Sequence, residues 1–196
     1  DAVSSMAPNA YYSHNNNEIV NYYKKIASLT SLPVLIYVTP LLLGNDLTKD
    51  FEELMSVENI VGLKFTLKGY YLMSMLKMIN GGNINVINGP DEMLLAGLAM
   101  GADGGIGSTY NVMPDRYVAL YNAFMAGDII NARRIQYDIN KIINVLIKNN
   151  NCFATVKATL TLLGIDMGNT VFPGAKFSKH DMEKLKRELQ IAGLSV

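Results

Sequence analysis

One lysine sits near the downstream end of an otherwise apolar run, Val61-Gly62-Leu63-Lys64-Phe65-Thr66. An amine attacks a carbonyl only when it is neutral, and apolar surroundings disfavour an ammonium. Lys64 is therefore read as a nucleophile that forms a Schiff base with a keto acid. The plain alternative is a lysine that snorkels from a strand end to water. Tyr37 ends the preceding apolar run, Pro33 to Val38. A phenol there could shuttle protons in carbon–carbon bond cleavage, or it could be a core aromatic with its hydroxyl at the rim. The next run ends in Asn88-Gly89-Pro90-Asp91-Glu92. Asp91 and Glu92 suit the first turn of a helix; they also suit hydrogen bonds from substrate hydroxyls. In Gly104-Gly105-Ile106-Gly107-Ser108-Thr109-Tyr110-Asn111, the glycines let backbone approach a ligand and Ser108 offers a hydroxyl. Tight packing at a barrel closure and a phosphate site are the alternatives there.

Other reactive side chains read as structural. Cys152 is expected to be a buried apolar filler, the methionines to fill the core, and Lys157 to serve its own helix. His14 and His180 lie in polar surroundings, far apart, with no spacing that suggests a metal site.

These residues need a scaffold that gathers strand ends. Apolar runs of strand length fall near residues 2, 35, 62, 86 and 105. Helical patterns separate them, at about residues 17–29, 47–56, 69–79 and 91–100, with Asp46 or Thr48 as a cap for the second. Pro40 and Gly44 punctuate a loop, Gly81-Gly82 a turn, and residues 11–17 read as polar loop. Strands alternating with helices predict βαβ units and a parallel sheet. Beyond Pro114 only helices are expected, at about 114–126, 128–148, 153–163 and 178–192, with a break and a new cap at Gly127-Asp128. An open doubly wound sheet should carry a nucleotide fingerprint at its first turn. None is present, and Gly-Lys-Ser/Thr is absent too. In a barrel, functional groups collect at the C-terminal strand ends, where Tyr37, Lys64, Asn88, Gly89 and Ser108 all fall. The expectation is a partial barrel over residues 1–126, with a helical extension of the same domain over 127–196.

Composition narrows the function. Hydrophobic residues make up 49% of the 196, enough for a sizeable core. Lys+Arg and Asp+Glu number 17 each, a balance that argues against a nucleic-acid partner. No apolar run reaches the roughly 18 residues of a membrane span, and the first residues lack the pattern of a signal peptide. A single cysteine fits a reducing, cytoplasmic setting.

Tyr37-x-x-Pro40, Gly62-Leu63-Lys64-Phe65-Thr66, Gly89-Pro90-Asp91-Glu92 and Gly101-Ala102-Asp103-Gly104-Gly105-Ile106-Gly107-Ser108-Thr109-Tyr110-Asn111 occur in this order. This series resembles the N-acetylneuraminate lyase (sialic acid aldolase) branch of the dihydrodipicolinate synthase family, over nearly the whole chain. Asp1 to Ser4, with Pro8 and Tyr11-Tyr12, looks like that family's fourth strand and following loop. The resemblance implies an α/β fold: the C-terminal part of a TIM (β/α)8 barrel, about strands 4 to 8, followed by C-terminal helices. It implies a class I aldolase that cleaves N-acetylneuraminate to N-acetylmannosamine and pyruvate. Lys64 would form the Schiff base and Tyr37 would exchange protons with the sugar's 4-hydroxyl. Thr66, Gly89, Asp91, Glu92 and Ser108 would line the sugar pocket. No metal or organic cofactor is implied; the expected partners are the small-molecule substrate and further copies in a homotetramer. Dihydrodipicolinate synthase, a 2-keto-3-deoxy-sugar-acid aldolase or a truncated non-catalytic homologue would carry the same core.

Three departures accompany the resemblance. The family's first three strands, and its Gly-rich Ser/Thr motif for the keto-acid carboxylate, have no counterpart here. The usual Tyr-Asn-Ile-Pro or Tyr-Asn-Val-Pro is Tyr37-Val38-Thr39-Pro40. Val171-Phe172-Pro173 lacks the arginine often placed before that proline. Five strands leave a sheet edge uncovered, so the chain is expected to be one piece of a longer protein or to be completed by another polypeptide.

Overall fold

The computed structural model describes residues 2–8, 14–40, 47–148 and 151–196. Asp1, Tyr11-Tyr12, Gly44 and the proposed cap Asp46 lie outside the described residues. The chain divides into two compact units, Asp1–Ile106 and Gly107–Val196.

In the first unit, β1 (Val3–Met6), β2 (Val34–Val38), β3 (Ile60–Phe65), β4 (Asn85–Asn88) and β5 (Gly104–Gly105) alternate with α1 (Asn16–Ser28), α2 (Leu47–Met55), α3 (Tyr70–Lys77) and α4 (Leu94–Ala99). The strands form one parallel sheet in the order β1-β2-β3-β4-β5. A doubly wound sheet reverses its strand order at a switch point. This sheet never reverses, as an arc of a barrel requires.

The two faces of the sheet differ. Val34, Ile36 and Val38 of β2 and Leu63 and Phe65 of β3 are all 0% exposed. They pack in one cluster with Val20 and Tyr23 of α1, Phe51 and Leu54 of α2, and Met73 and Leu76 of α3. Each such side chain contributes about 1.5–3 kcal/mol over its exposed state. The opposite face carries Met6, Tyr37, Lys64, Ile87 and Gly104, one residue from each strand, linked by register as Met6↔Tyr37↔Lys64↔Ile87↔Gly104. Tyr37, Lys64 and Ile87 are half-buried and Met6 is exposed. The β2–β3 register runs Val34↔Ile60 and then Leu35↔Gly62, so Val61 is a bulge residue.

Local chemistry explains the helix ends. Asn15 and Glu18 form a capping box at α1. The helix expected over 91–100 is two pieces, a 3₁₀ turn at Asp91–Met93 and then α4. Met93, with φ −129° and ψ 22°, leaves the helical region between them.

The second unit holds α5 (Pro114–Met125), α6 (Ile129–Ile147), α7 (Cys152–Leu162) and α8 (Lys179–Ile191), near the expected bounds. Gly127, at φ +78°, ends α5, and the Asp128 side chain accepts the Asn131 amide to start α6. Two expectations fail. Met73 and Met113 are buried, but Met6, Met78, Met125 and Met167 are exposed; an unbranched thioether covers an amphipathic surface as readily as it fills a core. Cys152 is only half-buried, at the first turn of α7, with its Sγ 3.9 Å from Ser108 Oγ. It borders a polar hydroxyl rather than plugging an apolar gap. Lys157 does serve its own unit, donating to the carbonyls of Met167 and Asn169.

Candidate active site

Parallel register puts Tyr37 and Lys64 side by side on neighbouring strands. The Lys64 Nζ lies over the Tyr37 ring, 4.2 Å from its centroid. That contact stabilises a cation at this spot, whether an ammonium or the iminium of a Schiff base. Lys64 is flanked in sequence by two side chains buried on the other face, Leu63 and Phe65, so its backbone is fixed while its side chain stays half-exposed. Among the described residues no carboxylate or carbonyl bonds its nitrogen.

The hydrogen-bond ladder continues past the strand ends and holds the next layer. Thr66 N–H donates to Val38 O (2.9 Å), Gly89 N–H to Phe65 O (2.8 Å) and Ile106 N–H to Asn88 O (3.0 Å). Thr66 Oγ1 is buried without a hydrogen-bond partner, and Gly89 packs against it. A Cβ at Gly89 would collide with that hydroxyl and stand 2.7 Å from Phe65 O. Only glycine fits there. A buried, unsatisfied hydroxyl costs about 1–3 kcal/mol, and Gly89 closes over this one.

Asp91 is 7% exposed and Glu92 is exposed, on the turn that follows Gly89. Tyr37, Lys64, Thr66 and Gly89 thus form one continuous patch at the strand ends, and Asp91 and Glu92 stand on the adjoining turn. Ser108 opens the 3₁₀ turn Ser108–Asn111 of the second unit. There, Thr109 Oγ1 and Tyr117 Oη are 2.6 Å apart, and the Tyr110 and Tyr117 rings stack at 3.7 Å.

Sequence reasoning passed over the support of the Gly89 turn. Asn88 is 0% exposed. Its Oδ1 accepts from Tyr70 Oη at 2.8 Å and its Nδ2 donates to Pro90 O at 2.7 Å. An asparagine at an apolar strand end, followed by Gly-Pro, was the available signal. Among the described residues no cluster of His, Cys, Asp and Glu could hold a metal ion, and no helix is long and apolar enough to cross a membrane.

A parallel arc with a lysine at a central strand end defines a class of barrel scaffolds, and comparison with known proteins narrows it. The model of the dihydrodipicolinate synthetase family matches residues 1–192. The N-acetylneuraminate lyase of Rhizobium meliloti (strain 1021) is 36% identical over 185 residues, 94% of this chain and 61% of that protein. The Ruminococcus gnavus sialic acid aldolase, solved as wild type and as a catalytic lysine mutant, is 31% identical with a TM-score of 0.90, over 98% of this chain and 65% of the wild-type chain or 64% of the mutant. A Clostridium difficile structure in complex with mannosamine is 30% identical with a TM-score of 0.89, over 98% of this chain and 66% of that one. The chain belongs to the dihydrodipicolinate synthetase family, and its sheet is part of a TIM barrel followed by C-terminal helices. It spans 61% of the length of the Rhizobium relative.

Proposed function

We propose that the protein carrying this chain is a class I aldolase that cleaves N-acetylneuraminate to N-acetylmannosamine and pyruvate. The observation that carries this reading is the Lys64 Nζ poised over the Tyr37 ring at the C-terminal ends of adjacent strands. Names and titles of similar proteins support it: a lyase and an aldolase of sialic acid, one with a catalytic lysine, and a structure holding mannosamine.

The neutral Lys64 amine adds to the keto carbon of the open-chain sugar acid, and loss of water leaves an iminium. A proton leaves the sugar's 4-hydroxyl towards Tyr37, by way of the substrate carboxylate. The adjacent carbon–carbon bond then breaks, and its electron pair moves into the iminium to give an enamine. N-acetylmannosamine departs as the aldehyde. Tyr37 returns the proton to the enamine carbon, and water hydrolyses the resulting iminium to pyruvate and free Lys64. The Tyr37 ring stabilises the cationic stages. Thr66, Gly89, Asp91, Glu92 and Ser108 receive the sugar hydroxyls and amide. A homotetramer and a cytoplasmic setting complete the reading.

Incubation of the intact protein with pyruvate and borohydride tests it. The expected result is the mass of a reduced pyruvate adduct on the Lys64 peptide. An unmodified Lys64 in folded protein would refute the proposal. A panel of aldehyde acceptors, with N-acetylmannosamine preferred, tests the sugar assignment.

A further inference from the structure

Asn88 does more than end a strand. Its side chain is the centre of a buried polar cluster that ties three segments together. Tyr70, the first residue of α3, donates its hydroxyl to Asn88 Oδ1 at 2.8 Å and lies 3.4 Å from the carbonyl of Met93. The Tyr70 ring is tilted against Phe65 with centroids 6.4 Å apart, which fixes the hydroxyl's direction. Burial first, and the Glu92 charge second, raise the Tyr70 phenol above its usual range, so it remains a donor. Asn88 Nδ2 passes the constraint on to Pro90 O, at the centre of Gly89-Pro90-Asp91-Glu92. Across the cluster, a Cβ on Gly97 of α4 would collide with Asn88 Oδ1 and stand 2.6 Å from its Cγ.

The turn that carries Gly89, Asp91 and Glu92 meets the end of β3 through one backbone bond, Gly89 N–H to Phe65 O, while the side-chain hydrogen bonds that set it involve neither Lys64 nor Tyr37. The strands below it are held separately, by their own backbone ladder. We propose that Asn88, oriented by Tyr70 and given room by Gly97, is the positioning residue for the sugar half of the substrate and has no part in the keto-acid half. This rests on the aldolase reading above. Neither side chain touches the reacting atoms; each acts through the placement of the Gly89–Glu92 turn.

The test uses the intact protein with two variants, Tyr70→Phe and Gly97→Ala. Tyr70→Phe keeps the ring on Phe65 and removes one hydrogen bond. Gly97→Ala displaces the Asn88 side chain from the α4 side and so strains its bonds to Tyr70 and Pro90 while leaving both of those residues unchanged. Two readouts separate the halves: borohydride trapping of pyruvate on Lys64, and steady-state cleavage of N-acetylneuraminate. The expected result for Tyr70→Phe is a KM for N-acetylneuraminate raised about fivefold, the worth of one net hydrogen bond, with kcat and the pyruvate trapping curve unchanged. Gly97→Ala should show the same split. A Tyr70→Phe protein that melts lower but keeps its KM would make the cluster merely structural and overturn the proposal. So would a parallel loss of trapping and sugar cleavage in either variant. If Tyr70→Phe does not fold, the Gly97→Ala split decides in the same terms. A parent protein that traps no pyruvate refutes the aldolase reading itself, and this proposal with it.

Discussion

Lys64 and Lys77 serve opposite ends of one sheet, and the protein uses them in opposite ways. Lys77, the last residue of α3, reaches the start of β4 and donates to Ile84 O at 2.7 Å. It also meets both carboxylate oxygens of Asp103, at 2.8 and 3.0 Å, and Asp103 in turn accepts the Val86 amide. Three acceptors thus surround that nitrogen. Lys64 faces the Tyr37 ring instead, with no carboxylate or carbonyl bonded to its nitrogen among the described residues. A ring tolerates the charge without claiming the protons. The difference teaches that acceptor supply, more than burial, separates the structural Lys77 from Lys64, the lysine proposed to react.

The sharpest way to break the comparison is to exchange the nucleophile. Lys64→Arg keeps a cation over the ring but cannot form an imine, so cleavage of N-acetylneuraminate should fall to background and trapping should vanish. Tyr37→Phe comes next. It keeps the ring face under Lys64, so pyruvate should still be trapped, while kcat falls about 10²- to 10⁴-fold for want of the proton shuttle.

Gly89→Ala tests the layer above. The added methyl meets Thr66 Oγ1 and Phe65 O, and strand backbone cannot yield, so urea unfolding should report a loss of about 1–3 kcal/mol. Lys77→Met should cost about 1 kcal/mol, because the Lys77–Asp103 pair is partly exposed and Asp103 keeps the Val86 amide. It should leave pyruvate trapping intact; lost trapping would erase the contrast between the two lysines.

The smallest effect lies in the second unit. The hydrogen bond from Lys148 holds the Glu188 carboxyl below its ordinary range. A lowered folded value adds stability above the unfolded carboxylate range and loses it as pH falls. The small Tm difference between the parent and Glu188→Gln should therefore be present at neutral pH. It should fade as the pH falls below the unfolded glutamate value of about 4.3 towards the lower folded one.

Much of this contrast could be read from the residues. Tyr37 and Lys64 end successive apolar runs, and in a parallel sheet successive runs become neighbours, so their meeting follows from pattern alone. The bounds of β2 and of α5 to α8 follow from continuous apolar runs and from caps such as Asp128 and Ser178. What pattern could not supply is the direction of a polar side chain. Asn88 reads as an ordinary turn former, and only the fold brings Tyr70 and Gly97 against it from different helices. Cys152 and the outer methionines were misread for the same reason. Residue type reports a preference for burial, but the packing of the neighbouring elements decides whether it is met.

Val61 shows how one strand serves two masters. In a strictly alternating strand Ile60 and Lys64 would share a side, and one of them would be misplaced. The surplus residue at Val61 resets the alternation, so Ile60 can anchor the helical layer at the bottom while the amine turns away from it at the top. A single unpaired peptide thereby lets β3 face the helical layer with Ile60 and the Tyr37 ring with Lys64.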